Sequence, residues 1–371
     1  MSFDTKKTGK YVKSTNRRHK PIWLVLFADA LLVGIFLLIF AFFHHVLPAA
    51  ISKRQAAQEL LNVTEPAVTE SAVTETVVTE PPAIDTVPED TVPETTAPPD
   101  NRTPWQIKFS EKFTEEVVTT PNSYTSPNVS VTVQTITQGE GNRQVTYHVA
   151  DIYVGSMENF TTYTANNEMR YFGTQDVLEM DAAADAVISI SGDFLTYQKG
   201  GFLMRNGQLY ASDSNYNSIC VLYADGTMKT YEPATYQIQE IIDSGAIQVW
   251  SFGPVLLDEE GNVKNKYNMP TAVSYTNPRS AIGYYEPGHY CFVIVDGRQA
   301  GYSRGMEIPE LAQIFKDLGC TSAYNLDGGG SAVMVFGHET YSRQSNGGRG
   351  LGDILVIRES ESLGAEQEGT E

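Results

Sequence analysis

Residues 22–47, IWLVLFADALLVGIFLLIFAFFHHVL, constrain this chain more than any other stretch. As a helix of about 26 residues they reach roughly 39 Å, enough to cross a ~30 Å hydrocarbon core with some tilt. Asp29 is the one carboxylate in the run and lies toward its start, where water is near. Lys6, Lys7, Lys10, Lys13, Arg17, Arg18 and Lys20 precede the run against Asp4 alone, and outweigh Lys53 and Arg54 after it. That asymmetry assigns residues 1–21 to the cytoplasm and everything beyond the helix to the outside. No short hydrophobic core with a small-x-small cleavage site is visible. The expectation is a single-pass signal anchor in the cell membrane.

The next segment is suited to standing in water. Residues 62–100 read NVTEPAVTESAVTETVVTEPPAIDTVPEDTVPETTAPPD, a repetitive tract without a basic or aromatic residue. Such a tract cannot bury enough apolar surface to offset its ordering entropy, and proline with like-charge repulsion keeps it extended. Residues 48–104 are therefore expected to form a disordered Thr/Glu/Pro-rich stalk. The chain carries a net charge of -19 despite its basic start, so the exported part lacks the cationic face that nucleic acid requires. Cys220, Cys291 and Cys320 form no CxxC or Cys/His cluster, which reads as small buried residues and gives no zinc signature. No metal and no cofactor is expected.

From residue 121 to residue 358 the pattern is that of a folded domain, followed by an acidic disordered tail at 359–371. VSVTVQTI (129–136) alternates apolar and polar residues as a half-buried strand does, and AVISISGDF (186–194) reads as a buried strand ending in a turn. Asn206-Gly207 and Asp225-Gly226 are hairpin signals, and Asp296-Gly297 reads as another. Helices are few. Residues 309–318 place Leu311, Ile314, Phe315 and Leu318 on one face, with Pro309 in the first turn and Gly319 as cap. Residues 232–244 are a second candidate. The fold class is α+β, a strand-rich single globular domain with a few packed helices.

Chemistry concentrates at strand ends. YNLDGGGSAVM (324–334) sets Asp327 and Ser331 around Gly328, Gly329 and Gly330, between two apolar strands. The glycines serve either a tight turn by sterics or an anion nest of uncovered amides, and composition weighs the two equally. Asp193 after ISISG, Arg279 in TNPRSAIGYY, and Asp296 with Arg298 in VIVDGRQ also sit at strand ends, which suggests one shared rim. Asn325 shares a strand face with Asp327. His148 and His289 have no paired partner in the sequence and read as packing residues. No HExxH, Walker A loop or Gly-x-Ser-x-Gly elbow is present.

In order along the chain, ISGDF, FLMRNGQLY, WSFGPVLLDEEG, NPRSAIGYYEPGHYCFVIVDGRQAGYSRGM, ELAQIFKDLGCTSAYNLDGGGSAVM and GGRGLGDILVI closely resemble the phosphodiester glycosidase family. That family takes in enzymes acting on N-acetylglucosamine 1-phosphodiesters and bacterial exopolysaccharide-related proteins. The resemblance spans roughly residues 121–358 and implies hydrolysis of a sugar linked through its anomeric carbon to a phosphodiester. It implies Asp327, Asp193 and Asp296 as carboxylate candidates. Arg279, Arg298 and the amides of Gly328, Gly329 and Gly330 would meet phosphate, with Asn325 at a sugar hydroxyl, Ser331 beside it, and Arg349 as the family's late arginine. Ser280 stands where many relatives have threonine, and VFGHETYSRQSNGGRG departs from the usual Asn-x-Pro-Ser stretch. The expected substrate is a wall or capsular polymer. A non-catalytic glycan-phosphate binding module and a glycosyl or phosphoglycosyl transferase are the alternatives.

Overall fold

The computed structural model describes residues 100–195 and 200–360. The expected cytoplasmic tail, the membrane helix, the stalk up to residue 99 and the acidic tail beyond residue 360 lie outside the described residues. Among those described, no helix is long and apolar enough to cross a membrane.

The order begins with α1 (Pro104–Lys108), β1 (Val118–Thr120), β2 (Ser123–Thr125), β3 (Val129–Gln138), β4 (Val145–Val154) and β5 (Phe160–Thr164). Helix α2 (Val177–Ala183) leads into β6 (Ala186–Ser191), β7 (Phe202–Arg205), β8 (Gln208–Ser212), β9 (Ile219–Tyr223) and β10 (Met228–Tyr231). Then come α3 (Ile238–Asp243), β11 (Ala246–Trp250), the short α4 (Thr271–Ser274), β12 (Arg279–Glu286) and β13 (His289–Val295). Helix α5 (Ile308–Leu318), β14 (Ser322–Leu326), β15 (Met334–Phe336), β16 (Glu339–Thr340) and β17 (Asp353–Arg358) follow. The result is a strand-rich α+β domain with few helices.

The strands form three antiparallel sheets, ordered β1-β2-β3-β4-β13-β12-β14, β16-β15-β6-β17-β5, and β10-β9-β11-β7-β8. Alternation along β13 shows how they stack. Tyr290, Phe292 and Ile294 join a core with Ile188, Ile190 and Leu355 of the second sheet and Leu222 and Trp250 of the third. Cys291, Val293 and Val295 turn the other way, onto Leu311, Ala312, Ile314 and Phe315 of α5. The β12–β13 part of the first sheet is thus buried on both faces, while β1 at its far edge is exposed, and each fully buried Leu or Phe contributes about 1.5–3 kcal/mol. Helix α2 caps the second sheet through Val177 and Met180, and α3 caps the third through Ile241.

Local chemistry explains most boundaries. In α5, Pro309 occupies the first turn, Glu310 accepts the Glu307 N–H at 2.9 Å, and Gly319 ends the helix at φ 83°. Helix α3 is shorter than the 232–244 expected, because Ala234 sits at φ 61°, outside the helical region. The β7–β8 turn has Asn206 and Gly207 at φ 50° and 78°, the hand a two-residue hairpin requires. Asp225-Gly226 joins β9 to β10 as expected. Asp296-Gly297 does not make a hairpin. The chain leaves β13 into a loop before α5, and a Cβ on Gly297 would lie 2.8 Å from the Gly305 Cα and the Pro278 nitrogen. Packing starts upstream of residue 121: Thr103 caps α1 and its hydroxyl donates to the Gly155 carbonyl at 2.6 Å.

Candidate active site

Sheet register brings the polar strand ends together. β12 runs antiparallel to β13 and β14, with Arg279 opposite Val295 and Ser280 opposite Leu326. The start of β12 and the ends of β13 and β14 therefore share one edge, which carries Arg279, Arg298 and Asp327. In the second sheet Ile354 lies opposite Ser191, so Gly192-Asp193 and the approach to β17 emerge together. After β11 the chain follows β14, with Val255 opposite Tyr324, and this sets Phe252 beside the end of β14. A cavity of about 230 Å³ opens there, lined by Phe252, Ala272, Val273, Asn277, Arg279, Arg298, Asp327, Gly328, Gly329, Gly330 and Arg349.

The glycines now have a physical account. β14 and β15 belong to different sheets, so 327–333 carries the chain from one layer to another. At Gly328 a Cβ would meet the Pro278 carbonyl oxygen at 2.5 Å. Gly329 has φ 61°, and its Cα lies under the Arg298 guanidinium, with Nη2 at 3.2 Å from where a Cβ would stand. At Gly330 the nearest atom is the Arg349 Cδ at 3.9 Å, so only the first two positions demand glycine. The nest is partial. Gly329 donates its N–H to Pro278 and Ser331 donates to Gly328, whereas the Gly328 and Gly330 amides have no acceptor among the described residues.

Asp327 is the centre of the charge arrangement. Its Oδ2 accepts the Ser331 hydroxyl and Arg349 Nη2, both at 2.7 Å, and Arg349 Nε donates to the Ser331 Oγ at 2.6 Å. Its Oδ1 accepts no hydrogen bond among the described residues and is not among the sealed unpaired atoms. Burial drives the carboxyl up to about 6, outweighing Ser331 and Arg349, which lower it. Desolvation wins over two charge-assisted contacts. Three guanidiniums and one carboxylate line the cavity, a local excess of cations in a chain of net charge -19.

The other candidates divide into two groups. Arg298, at φ 58°, packs on Gly329 and donates to the Asn277 Oδ1 at 2.7 Å. Arg279 lines the cavity but gives Nε to the Met306 carbonyl (2.9 Å) and Nη2 to those of Val273 (2.8 Å) and Tyr275 (2.6 Å). Burial lowers Arg279 to about 10. Arg349 lines the cavity and stacks over Phe194, 5.4 Å from the ring centre.

Asp193, Asp296 and Asn325 are not in the lining. Asp193 is buried against Arg205 Nη2 at 3.0 Å and accepts the N–H groups of Ser251 (2.8 Å) and Phe252 (3.0 Å). Asp296 accepts His148 Nε2 at 3.0 Å, the Tyr302 hydroxyl at 2.7 Å and the Arg343 N–H at 3.0 Å, so it pins the loop before Arg349. His148 therefore has a partner the sequence did not disclose, as does His289, 2.7 Å from Asp151. Asn325 is buried and donates Nδ2 to the Gly253 carbonyl at 2.7 Å, turned to the backbone after β11 instead of to the cavity. All three cysteines are buried, and Cys291 and Cys320 touch, with sulfurs 3.6 Å apart.

Sequence reasoning missed Arg205 and Asp353. Arg205 is fully buried and gives Nε and Nη2 to Asp353 Oδ2 at 3.0 and 2.8 Å, while Asp353 Oδ1 accepts the Asp193 N–H at 2.9 Å. Burial pushes Asp353 upward, and Asp193 adds to it, against the pull of Arg205. A charge inside an apolar strand, as in GDILVI and FLMR, was the available signal.

Comparison with known proteins agrees with this architecture. Residues 184–358 match the family model described as phosphodiester glycosidase. That stretch of the chain is similar to the phosphodiester glycosidase family. The chain is also similar to the SPbeta prophage-derived uncharacterized protein YomE of Bacillus subtilis (strain 168), 29% identical over 197 residues. That match covers 50% of this chain and 30% of YomE. Among solved structures, the fold is similar to the zebrafish N-acetylglucosamine-1-phosphodiester alpha-N-acetylglucosaminidase catalytic domain, auto-inhibited by its pro-peptide. The TM-score is 0.51 at 21% identity, covering 66% of this chain and 88% of that one.

Proposed function

We propose that the domain hydrolyses glycosyl-1-phosphodiesters and releases the sugar. The observation that carries this reading is the placement of Asp327 among Arg279, Arg298 and Arg349 in one small cavity. Breaking the anomeric C–O bond develops positive charge on the sugar and negative charge on the departing phosphate. The cavity offers a carboxylate for the first and guanidiniums for the second. Oδ1 of Asp327 remains for the anomeric carbon or its attacking water, because Oδ2 is held by Ser331 and Arg349. The amides of Gly328 and Gly330 add two donors for phosphate oxygens. Glycosidases commonly set two carboxylates on opposite sides of the bond, one to protonate the leaving oxygen. A phosphate monoester departs as a stable anion, so one cavity carboxylate suffices here. Asp193 and Asp296 act as supports of the walls.

The sequence adds a setting. The predicted anchor at 22–47 and stalk at 48–104 would hold the domain outside the membrane, and a wall or capsular polymer with phosphodiester-linked sugars would be its substrate. At about 230 Å³ the cavity falls below the ~300–1,000 Å³ usual for drug-sized ligands, which suits one sugar phosphate unit of such a polymer.

The test is to incubate the full-length protein with a panel of sugar-1-phosphodiesters and follow free sugar by chromatography. Release by the wild type and its loss in Asp327→Asn are expected. Release that survives Asp327→Asn unchanged overturns the assignment, and polymer binding without release favours a binding module. The anomeric form of the first product separates attack by Asp327 itself from attack by water, and transfer to a polymer hydroxyl would appear as a new glycoside.

A further inference from the structure

Phe252 is the one large flat apolar side chain in the lining, among the described residues. Its placement is heavily determined. Asp193 accepts the N–H groups of Ser251 and Phe252. Gly253 donates its N–H to the Asn325 carbonyl at 3.1 Å and accepts from the Asn325 side chain at 2.7 Å. Asp193 is itself fixed by Arg205 and, through its own N–H, by Asp353. Enclosing two carboxylates and a guanidinium is a poor way to gain stability, since desolvation offsets most of their attraction. What that buried group secures is the position of the backbone from Ser251 to Gly253. Behind Phe252 stands Phe194, edge to face at 6.2 Å, and Phe194 carries Arg349 over its ring.

A phosphate has no use for an aromatic face, and a pyranose ring does, because its C–H face is apolar while its rim is polar. On the reading given above, the geometry points to Phe252 as the residue that recognises the sugar ring, with Arg298 recognising the phosphate. Asp193, Asn325, Arg205 and Asp353 are then positioning residues that act through Phe252. The same flat face could take a nucleobase from a nucleotide-linked sugar, and the test separates the two.

Full-length wild type, Phe252→Ala, Phe252→Trp and Arg298→Gln are titrated by calorimetry and ligand-detected NMR with three probes: inorganic phosphate, a panel of free hexoses and N-acetylhexosamines, and uridine. Folding of each variant is checked by circular dichroism. Phe252→Ala is expected to weaken monosaccharide binding by about tenfold and leave phosphate within twofold, Phe252→Trp to retain the sugar, and Arg298→Gln to do the reverse of Phe252→Ala. In turnover, Phe252→Ala should raise KM for the phosphodiester more than it lowers kcat. Monosaccharide binding absent from the wild type, or equal in Phe252→Ala, overturns the inference, as does uridine binding that depends on Phe252 without any sugar binding. Sugar release that ignores Phe252 sinks this inference and keeps the hydrolase, whereas Phe252-dependent sugar binding without release does the opposite.

Discussion

Replacing Asp327 by asparagine should make the folded domain more stable at neutral pH while removing its activity. The carboxyl stands at about 6 in the folded protein against an ordinary 3.8, with burial as the main cause. A raised folded value means that the native state binds the proton more tightly than the unfolded chain does. The stability linked to that proton is complete below pH 3.8 and is lost as pH rises through 6. The difference of 2.2 (6 minus 3.8) amounts to about 3 kcal/mol of destabilisation at pH 7.5. Asparagine imitates the neutral acid and avoids that cost, although it accepts more weakly from Arg349 and Ser331, so a gain of roughly 1–3 kcal/mol is expected. For a domain of this size that is about 2–12 °C in Tm. At pH 4.5 wild type regains most of the difference, and the advantage of Asp327→Asn should shrink to about 1 kcal/mol or less. Urea denaturation at both pH values, beside a sugar-release assay, measures it. A variant less stable than wild type at pH 7.5, or one whose gain is the same at both pH values, would refute the argument that burial outweighs the two donors.

Three further outcomes follow from the same geometry. The rate of sugar release should fall on the acid side with an apparent pKa near 6, and Arg349→Gln should move that limb to higher pH, because Arg349 lowers Asp327; a pH–rate profile reads both. Gly328→Ala and Gly329→Ala should cost activity and at least about 1–2 kcal/mol of stability, the first through the Pro278 carbonyl and the second through its left-handed backbone, while Gly330→Ala stays near wild type by thermal melt and turnover. Arg205→Met should destabilise by about 3–5 kcal/mol, since two buried carboxylates lose their shared cation, and pairing it with Asp353→Asn should recover part of that loss in denaturation experiments.

How much of this the sequence disclosed depends on the range of the interaction. The α5 helix was readable because its apolar spacing, Pro309 and Gly319 all lie within a dozen residues. So was the Asn206-Gly207 hairpin, whose backbone sign is set locally. Asp296-Gly297 failed as a hairpin for the opposite reason: a close approach by Pro278 and Gly305, invisible in sequence, requires that glycine. Asp193, Asp296 and Asp327 look alike as acids at strand ends. Only register and layer packing turn Asp327 into the cavity and the other two into the walls. Arg205 and Asp353 pair across 148 residues, with nothing local to announce them.

The site also explains its own location. Arg279, Arg298 and Asp327 come from the first sheet, Arg349 from the approach to the second, and Phe252 from the end of a strand of the third. The first sheet alone lacks the arginine that holds Asp327 Oδ2 and the aromatic side chain of the lining. The crossing at 327–333 lets a carboxylate from one layer meet an arginine from the next, and glycine is needed there because the chain must pass directly over the Pro278 carbonyl. A nest built for the anion alone would keep every amide free, but Gly329 and Ser331 spend theirs on holding the crossing in place. The glycines are therefore primarily a device for joining layers, and the capacity to meet an anion is a consequence of where that join falls.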